Sequence, residues 1–230
     1  MEKLLIICFL FISISCSSAK KEPETKPAEN STPQVAENST NQTSSASNSK
    51  QMSSNNTSVR DYFNVPGPIR FNNQDFLLSW SSNPSPNYFK HEYIPAGTDP
   101  EKYNEMIMLE LLLGDANMDA MVEGKINELN ARKATDPMAR YESTTDKKSG
   151  EKHFSFLMSA GDGANKVLEW NFYRYLPYVA SSGKKGVSLF AYSKRAYGAS
   201  TESFFEDLNK NRRQYAIDFL NVKFPEIKLN

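Results

Sequence analysis

His91 and His153 are the only histidines in the chain, and neither sits in a His-x-x-x-His or Glu-x-x-His spacing. A helix-borne zinc pair is therefore not encoded, and each reads as a strand-face residue. A metal site would have to be assembled from scattered carboxylates, so no metal and no cofactor are expected. Gly161-Asp162-Gly163 lacks the Lys-Ser/Thr of a phosphate loop and precedes a strand, which makes it a hairpin turn. No Gly-x-Ser-x-Gly elbow occurs, and no Ser-x-x-Lys stands in a convincing context. Carboxylates such as Glu169 and Asp162 offer the remaining route to acid–base chemistry. A binding surface has a better candidate in Tyr173, Arg174, Tyr175, Tyr178, Tyr192, Lys194, Arg195 and Tyr197, on two stretches expected to pair. Rigid tyrosine faces and planar arginine donors suit glycans, peptides or another protein. Cross-strand tyrosine pairs also stabilise sheets unaided, and alternation requires that some of these side chains be core.

Cys16 carries the most specific chemistry. It follows the apolar run Leu4 to Ile12, which stands behind Lys3, and an unbroken polar stretch follows it. A short hydrophobic segment ending in small residues and a cysteine reads as a secretory signal with a lipid-attachment site. A membrane-crossing helix needs about 20 apolar residues. The run from Leu4 to Ile14 falls short of that, and no later segment is long and apolar enough.

Ser13-Ile14-Ser15-Cys16 resembles the lipobox of bacterial lipoproteins. Ser15 fits the small residue before the cut, whereas Ser13 departs from the usual Leu, Val or Ile. The resemblance implies cleavage before Cys16, diacylglycerol on its thiol and a further chain, palmitate for example, on the new amino group. Two or three acyl chains anchor stably where one does not, each buried CH₂ contributing roughly 0.8 kcal/mol. It also implies a cell-envelope address, with the outer membrane favoured over the inner because Ser17 is not aspartate. The competing reading is an ordinary cut after Ala19 and a soluble exported protein. Cys8 would leave with the signal, so the folded part has no cysteine. A disulfide framework, a catalytic thiol and thiolate-bound zinc are thereby excluded.

These residues divide the chain into a signal peptide (1–15), a lipidated cysteine with a linker (16–60), and one globular domain (61–230). The linker is dominated by Ser, Thr, Asn, Gln, Lys, Glu and Pro. It holds too few apolar residues to offset the entropy of ordering it, so it is expected to be disordered. A flexible linker of n residues spans roughly 5–6 Å × √n, here some tens of Å. The whole chain has 27 Lys+Arg against 27 Asp+Glu and no basic stripe, which argues against a nucleic-acid partner. No internal repeat is visible.

Ile69–Phe71 and Phe76–Trp80 flank the polar turn Asn72-Asn73-Gln74-Asp75 and read as a hairpin. Tyr88–Ile94 is a third strand, ended by Pro95-Ala96-Gly97. Thr98 with Glu101 three residues later fits a capping box, and Pro100 suits an early helical position, so a short helix is expected there up to about Met106. The run Ile107–Leu113 is strand or continued helix, and strand is favoured. Asn117 could cap a helix with the stripe Met118, Met121, Val122, Ile126 and Leu129. Four strands follow: Ala139–Thr145, His153–Ala160, Val167–Leu176 and Val187–Tyr197. In the third, Leu168, Trp170, Phe172 and Leu176 oppose Glu169, Asn171, Tyr173 and Tyr175. A last helix, capped by Ser200, runs from about Thr201 to Asn221. It turns Phe204, Phe205, Leu208, Tyr215, Ala216, Phe219 and Leu220 to the sheet and Lys210–Arg213 to solvent.

The expected class is α+β, a mainly antiparallel sheet with flanking helices. The element order resembles the PsbP-like fold shared by some envelope lipoproteins, most locally over Glu92-Tyr93-Ile94-Pro95-Ala96-Gly97 through Tyr103. No functional residue carries over from that resemblance. The expected role is non-catalytic: a module bound to the membrane through acyl chains on Cys16 that binds or scaffolds an envelope protein or glycan. A secreted enzyme using Glu169 or Asp162, or a small-ligand carrier, is the alternative.

Overall fold

The computed structural model describes residues 59–229, so the signal peptide, Cys16 and nearly all of the linker lie outside the described residues. Eight strands are present: β1 (Ile69–Phe71), β2 (Gln74–Ser85), β3 (Tyr88–Pro95), β4 (Glu105–Leu113), β5 (Arg140–Thr145), β6 (Lys152–Ala160), β7 (Val167–Val179) and β8 (Lys185–Tyr197). Helix α1 (Met118–Arg132) follows β4, and α2 (Ser200–Leu220) follows β8. The strands form one antiparallel sheet in the order β1-β2-β3-β4-β8-β7-β6-β5. Two meanders of four strands, each followed by a helix, therefore meet along the β4–β8 ladder, which runs from Glu105↔Lys194 to Leu113↔Gly186. The fold is α+β with β dominant.

Local chemistry accounts for most of these elements. Asn72 and Asn73 take φ of 49° and 58°, and Phe71 pairs with Gln74, so the first turn needs only two residues, not four. Asparagine tolerates this left-handed backbone, which matches the twist of a tight hairpin. The Asn117 side chain accepts from the Asp119 amide at 2.8 Å and caps α1 as its position suggests. The run 107–113 is strand. It is hydrogen-bonded on both sides, to β3 and β8, and all its residues but Leu112 are buried.

Two sequence expectations fail here. No helix forms from Thr98. Because β4 begins at Glu105, only residues 98–104 remain, too few to recover the cost of a helical nucleus outside a packed face. The Asp99 carboxylate instead accepts from the Glu101 amide at 2.9 Å in a turn. Ser200 is the first helical residue of α2 and not its cap; its hydroxyl bonds back to the Tyr197 carbonyl at 2.7 Å.

Alternation assigns the side chains to two faces, and each face has its own helix. One face carries Ile107, Leu109, Trp170, Phe172, Phe190 and Tyr192 under α2. There the Phe219 ring lies 4.6 Å from Phe190 and 5.6 Å from Tyr192. Residues 61–65 and the tail after α2 share this side, joined where the Lys228 amide meets the Phe63 carbonyl at 2.8 Å. The opposite face carries Phe154, Phe156, Tyr173, Tyr175 and Leu189. On that side Lys125 of α1 stands 4.9 Å from the Phe156 ring centre. With both faces covered, both alternating sets of the central strands are core.

Candidate functional site

The expected aromatic and basic surface is not one surface. Tyr173, Tyr175, Arg195 and Tyr197 stand on the α1 side, whereas Arg174, Tyr178, Tyr192 and Lys194 stand on the α2 side. Tyr173, Arg174, Tyr175 and Tyr192 are buried, and the other four are partly buried. Burial pushes the hydroxyls of Tyr175 and Tyr192 well above the usual tyrosine range, with nearby Glu110 acting on the first and Glu105 on the second. Tyr178 is shifted upward by burial as well. Of these residues, Tyr192 and Lys194 on one side and Arg195 and Tyr197 on the other belong to two polar clusters back to back at one end of the β4, β7 and β8 ladders.

On the α2 side, Glu105 accepts from Lys194 at 3.1 Å and from Gln74 at 2.9 Å. Lys194 lies 4.1 Å from the ring centre of Tyr215, whose hydroxyl donates to Asp207 at 2.7 Å. Burial and that aspartate push Tyr215 up to about 12. The Tyr192 hydroxyl lies fully buried beside this group, close to Glu105 and Asn72. On the α1 side, Arg195 donates to Glu169 and lies 4.4 Å from the Tyr103 ring centre. Asn171 donates to the same carboxylate at 2.9 Å, and Ser193 donates to Asn171. The Arg195 guanidinium stays charged, because the carboxylate of Glu169 outweighs the cost of its burial.

The other buried charges are matched in the same way. Arg174 grips Glu151 at 2.6 Å and 3.3 Å and donates to the carbonyls of Phe219 (3.1 Å) and Val222 (2.7 Å), where α2 ends. Burial would raise the Glu151 carboxyl, but donation from His153 and Arg174 lowers it to about 2. Asp136 is held low against its own burial by the Ser159 hydroxyl and amide, Arg132 and the Met138 amide. Glu110 accepts from the Tyr88 hydroxyl at 2.8 Å and lies 3.7 Å from Lys90. Glu169 is buried in its ion pair, and Asp162 is exposed at the start of a 3-10 turn.

His91 is fully buried on the α2 side. Its Nε2 takes the Tyr62 amide at 3.0 Å, and its Nδ1 lies 3.0 Å from the Tyr93 hydroxyl. Because that hydroxyl gives its proton to the Val65 carbonyl at 2.7 Å, Nδ1 must be the donor and the ring is neutral. Sequence spacing did not expose this clamp, since its partners are 29 and 28 residues away from the strand that carries it. His153, half-buried, lies 3.1 Å from Glu151. No group of three or more His, Cys, Asp or Glu that could hold a metal occurs among the described residues.

A groove of about 930 Å³ runs between residues 64–72 and the end of α2 with its tail. Pro66, Pro68, Phe71, Val222 and Pro225 line it with Arg70, Lys223 and Lys228. Its carboxylates are engaged, Asp218 by Gln214 at 2.8 Å and Glu226 by Lys228 at 3.4 Å. The arrangement offers a contact surface.

No curated protein matches the chain. Among solved structures, LpqN of Mycobacterium tuberculosis, described as involved in cell envelope biogenesis, is similar at 17% sequence identity and a TM-score of 0.35. That match covers 64% of this chain and 82% of LpqN. A family model spans residues 63–224, from the segment clamped by His91 to the tail beyond α2, and the chain belongs to that family.

Proposed function

We propose that this protein is a cell-envelope lipoprotein whose domain is a non-catalytic binding or scaffolding module. The observation that carries the reading is Cys16, placed directly after a short apolar run and ahead of a polar linker. Two further features support it. No described helix is long and apolar enough to cross a membrane, so acyl chains on Cys16 are the attachment that the sequence offers. Each buried carboxylate among the described residues is met by a cation or by hydrogen-bond donors, which supports the non-catalytic reading. The partner proposed is an envelope protein or glycan, and the outer membrane is the proposed address. The proposed PsbP-like relation rests on residues 92–103, of which the strand and turn are present and the helix is not.

Labelling cells with a palmitate analogue tests the anchor. The wild-type chain should incorporate label and fractionate with membranes, and Cys16→Ala should lose the label, since the diacylglycerol and the further chain both sit on that residue. Continued labelling of Cys16→Ala would refute attachment at that residue.

A further inference from the structure

Leu77 and Trp80 are large apolar side chains left 45% and 46% exposed. They share a face only because β2 is bulged. Leu77 pairs with Ile94 and Leu78 with Tyr93, after which the register slips so that Trp80, and not Ser79, meets Glu92. In unbroken alternation Trp80 would point with Leu78 and Tyr93 toward the α2 side. The extra residue turns it to the opposite side, beside Leu77. Lys90 lies 5.9 Å from the Trp80 ring centre and is itself paired, with Glu92 at 2.8 Å and Glu110 at 3.7 Å. Residues 77–89 carry no charged side chain at all, and β1 pairs only with Gln74–Phe76 of this strand.

The chain that leads back to Cys16 joins the domain at this strand. The Ser81 hydroxyl, next to Trp80, donates to the Arg60 carbonyl at 2.6 Å. We infer that Leu77 and Trp80 dock the domain on the surface of the same bilayer that holds the acyl chains of Cys16; the inference rests on the anchor proposed above. Tryptophan is favoured at the headgroup level, and a leucine beside it adds apolar area at the acyl boundary. From Leu77 to Phe89 the chain brings no ion of its own to that boundary, and Lys90 beside the indole is already paired. So small a patch would not recruit a free protein. A linker of about forty residues changes this, since a tethered domain meets its surface at an effective concentration of order millimolar. The bulge thereby becomes a device that aims Trp80 at the lipid, where a regular strand would bury it.

The test uses the protein purified from envelopes and reconstituted into phosphatidylethanolamine–phosphatidylglycerol vesicles, with and without brominated acyl chains. The chain has two tryptophans, and Trp170 is 2% exposed, so quenching by bromine reports Trp80. Intact mass reports acylation of Cys16. The expected result is quenching in the wild type, lost in Trp80→Phe, reduced several-fold in Leu77→Ser and unchanged in Ile217→Ser, an exposed apolar residue of α2. Circular dichroism checks that each variant is folded. Acylated protein with equal emission in both kinds of vesicle would overturn the docking and leave the anchor standing. Quenching that survives in Trp80→Phe would overturn it too, as would a Trp80-dependent dimer that leaves the indole unquenched. An unacylated chain that is still quenched would overturn the anchor and leave the contact.

Discussion

His91 ties the sheet to the segment that enters the domain, and it can do so only while neutral. Burial lowers its pKa from 6.5 to about 4 against the opposing pull of Asp61. The unfolded chain therefore binds more protons than the folded one between pH 6.5 and 4, and stability falls as pH falls through that window, by about 3 kcal/mol in all. Urea melts across that range should show the slope, and His91→Asn should flatten it; an unchanged slope would separate His91 from the acid response. Glu151 acts in a lower window. Its folded pKa of about 2 lies below the ordinary 4.5, so its contribution is complete above pH 4.5 and is lost as pH falls toward 2. Acid is thus expected to lower stability in two successive pH windows, with a separate residue behind each.

Helix α2 depends on a residue outside itself. Its last turn holds no basic residue, and Arg174 of β7 supplies the positive charge, donating to the Phe219 and Val222 carbonyls. A cation at a helix C-terminus meets both the dipole and the orphan carbonyls. Arg174→Leu removes this contact and leaves Glu151 buried without its main partner, a loss of about 3–5 kcal/mol. Arg212→Leu, whose contact with Glu142 is exposed at 3.5 Å, should cost less than about 0.5 kcal/mol. Denaturant midpoints of the two variants check the ranking, and equal losses would contradict it. Strand β8 has a comparable dependence. A Cβ at Gly186 would collide with the Leu112 carbonyl of β4, so Gly186→Ala should lower stability by about 1–3 kcal/mol.

At the scale of the whole domain, the β4–β8 ladder makes two meanders one body. Core residues from both, Phe71 and Tyr93 on one side and Phe172 and Tyr192 on the other, belong to a single cluster. The domain should therefore unfold in one transition. In Trp80→Phe, the emission of Trp170 reports the second meander and far-ultraviolet dichroism reports the whole sheet. Coincident midpoints are expected, and separated midpoints would show that the halves melt independently. The two sheet edges differ. β5 is polar and mostly exposed along its length, which discourages strand addition. Beyond Phe76, β2 is instead protected by bulges and Pro84.

The sequence alone determined the element types wherever the signal was local: the polar β5, the alternation of β6 and β7, the Asn117 cap, the stripe of α1 and the apolar face of α2. The α+β class followed from these. It also placed Lys210–Arg213 on a solvated helix face, where they are exposed. Only tertiary structure decided what those elements do to one another. The capping box at Thr98 lost to a central strand that starts at Glu105. The tyrosine and arginine set dissolved as a surface because helices cover both sides of the sheet, which turns each side of β7 and β8 into core. The bulge at Ser79 and the clamp at His91 left no trace in periodicity. Each depends on pairing between residues distant in the chain, and alternation describes one strand at a time.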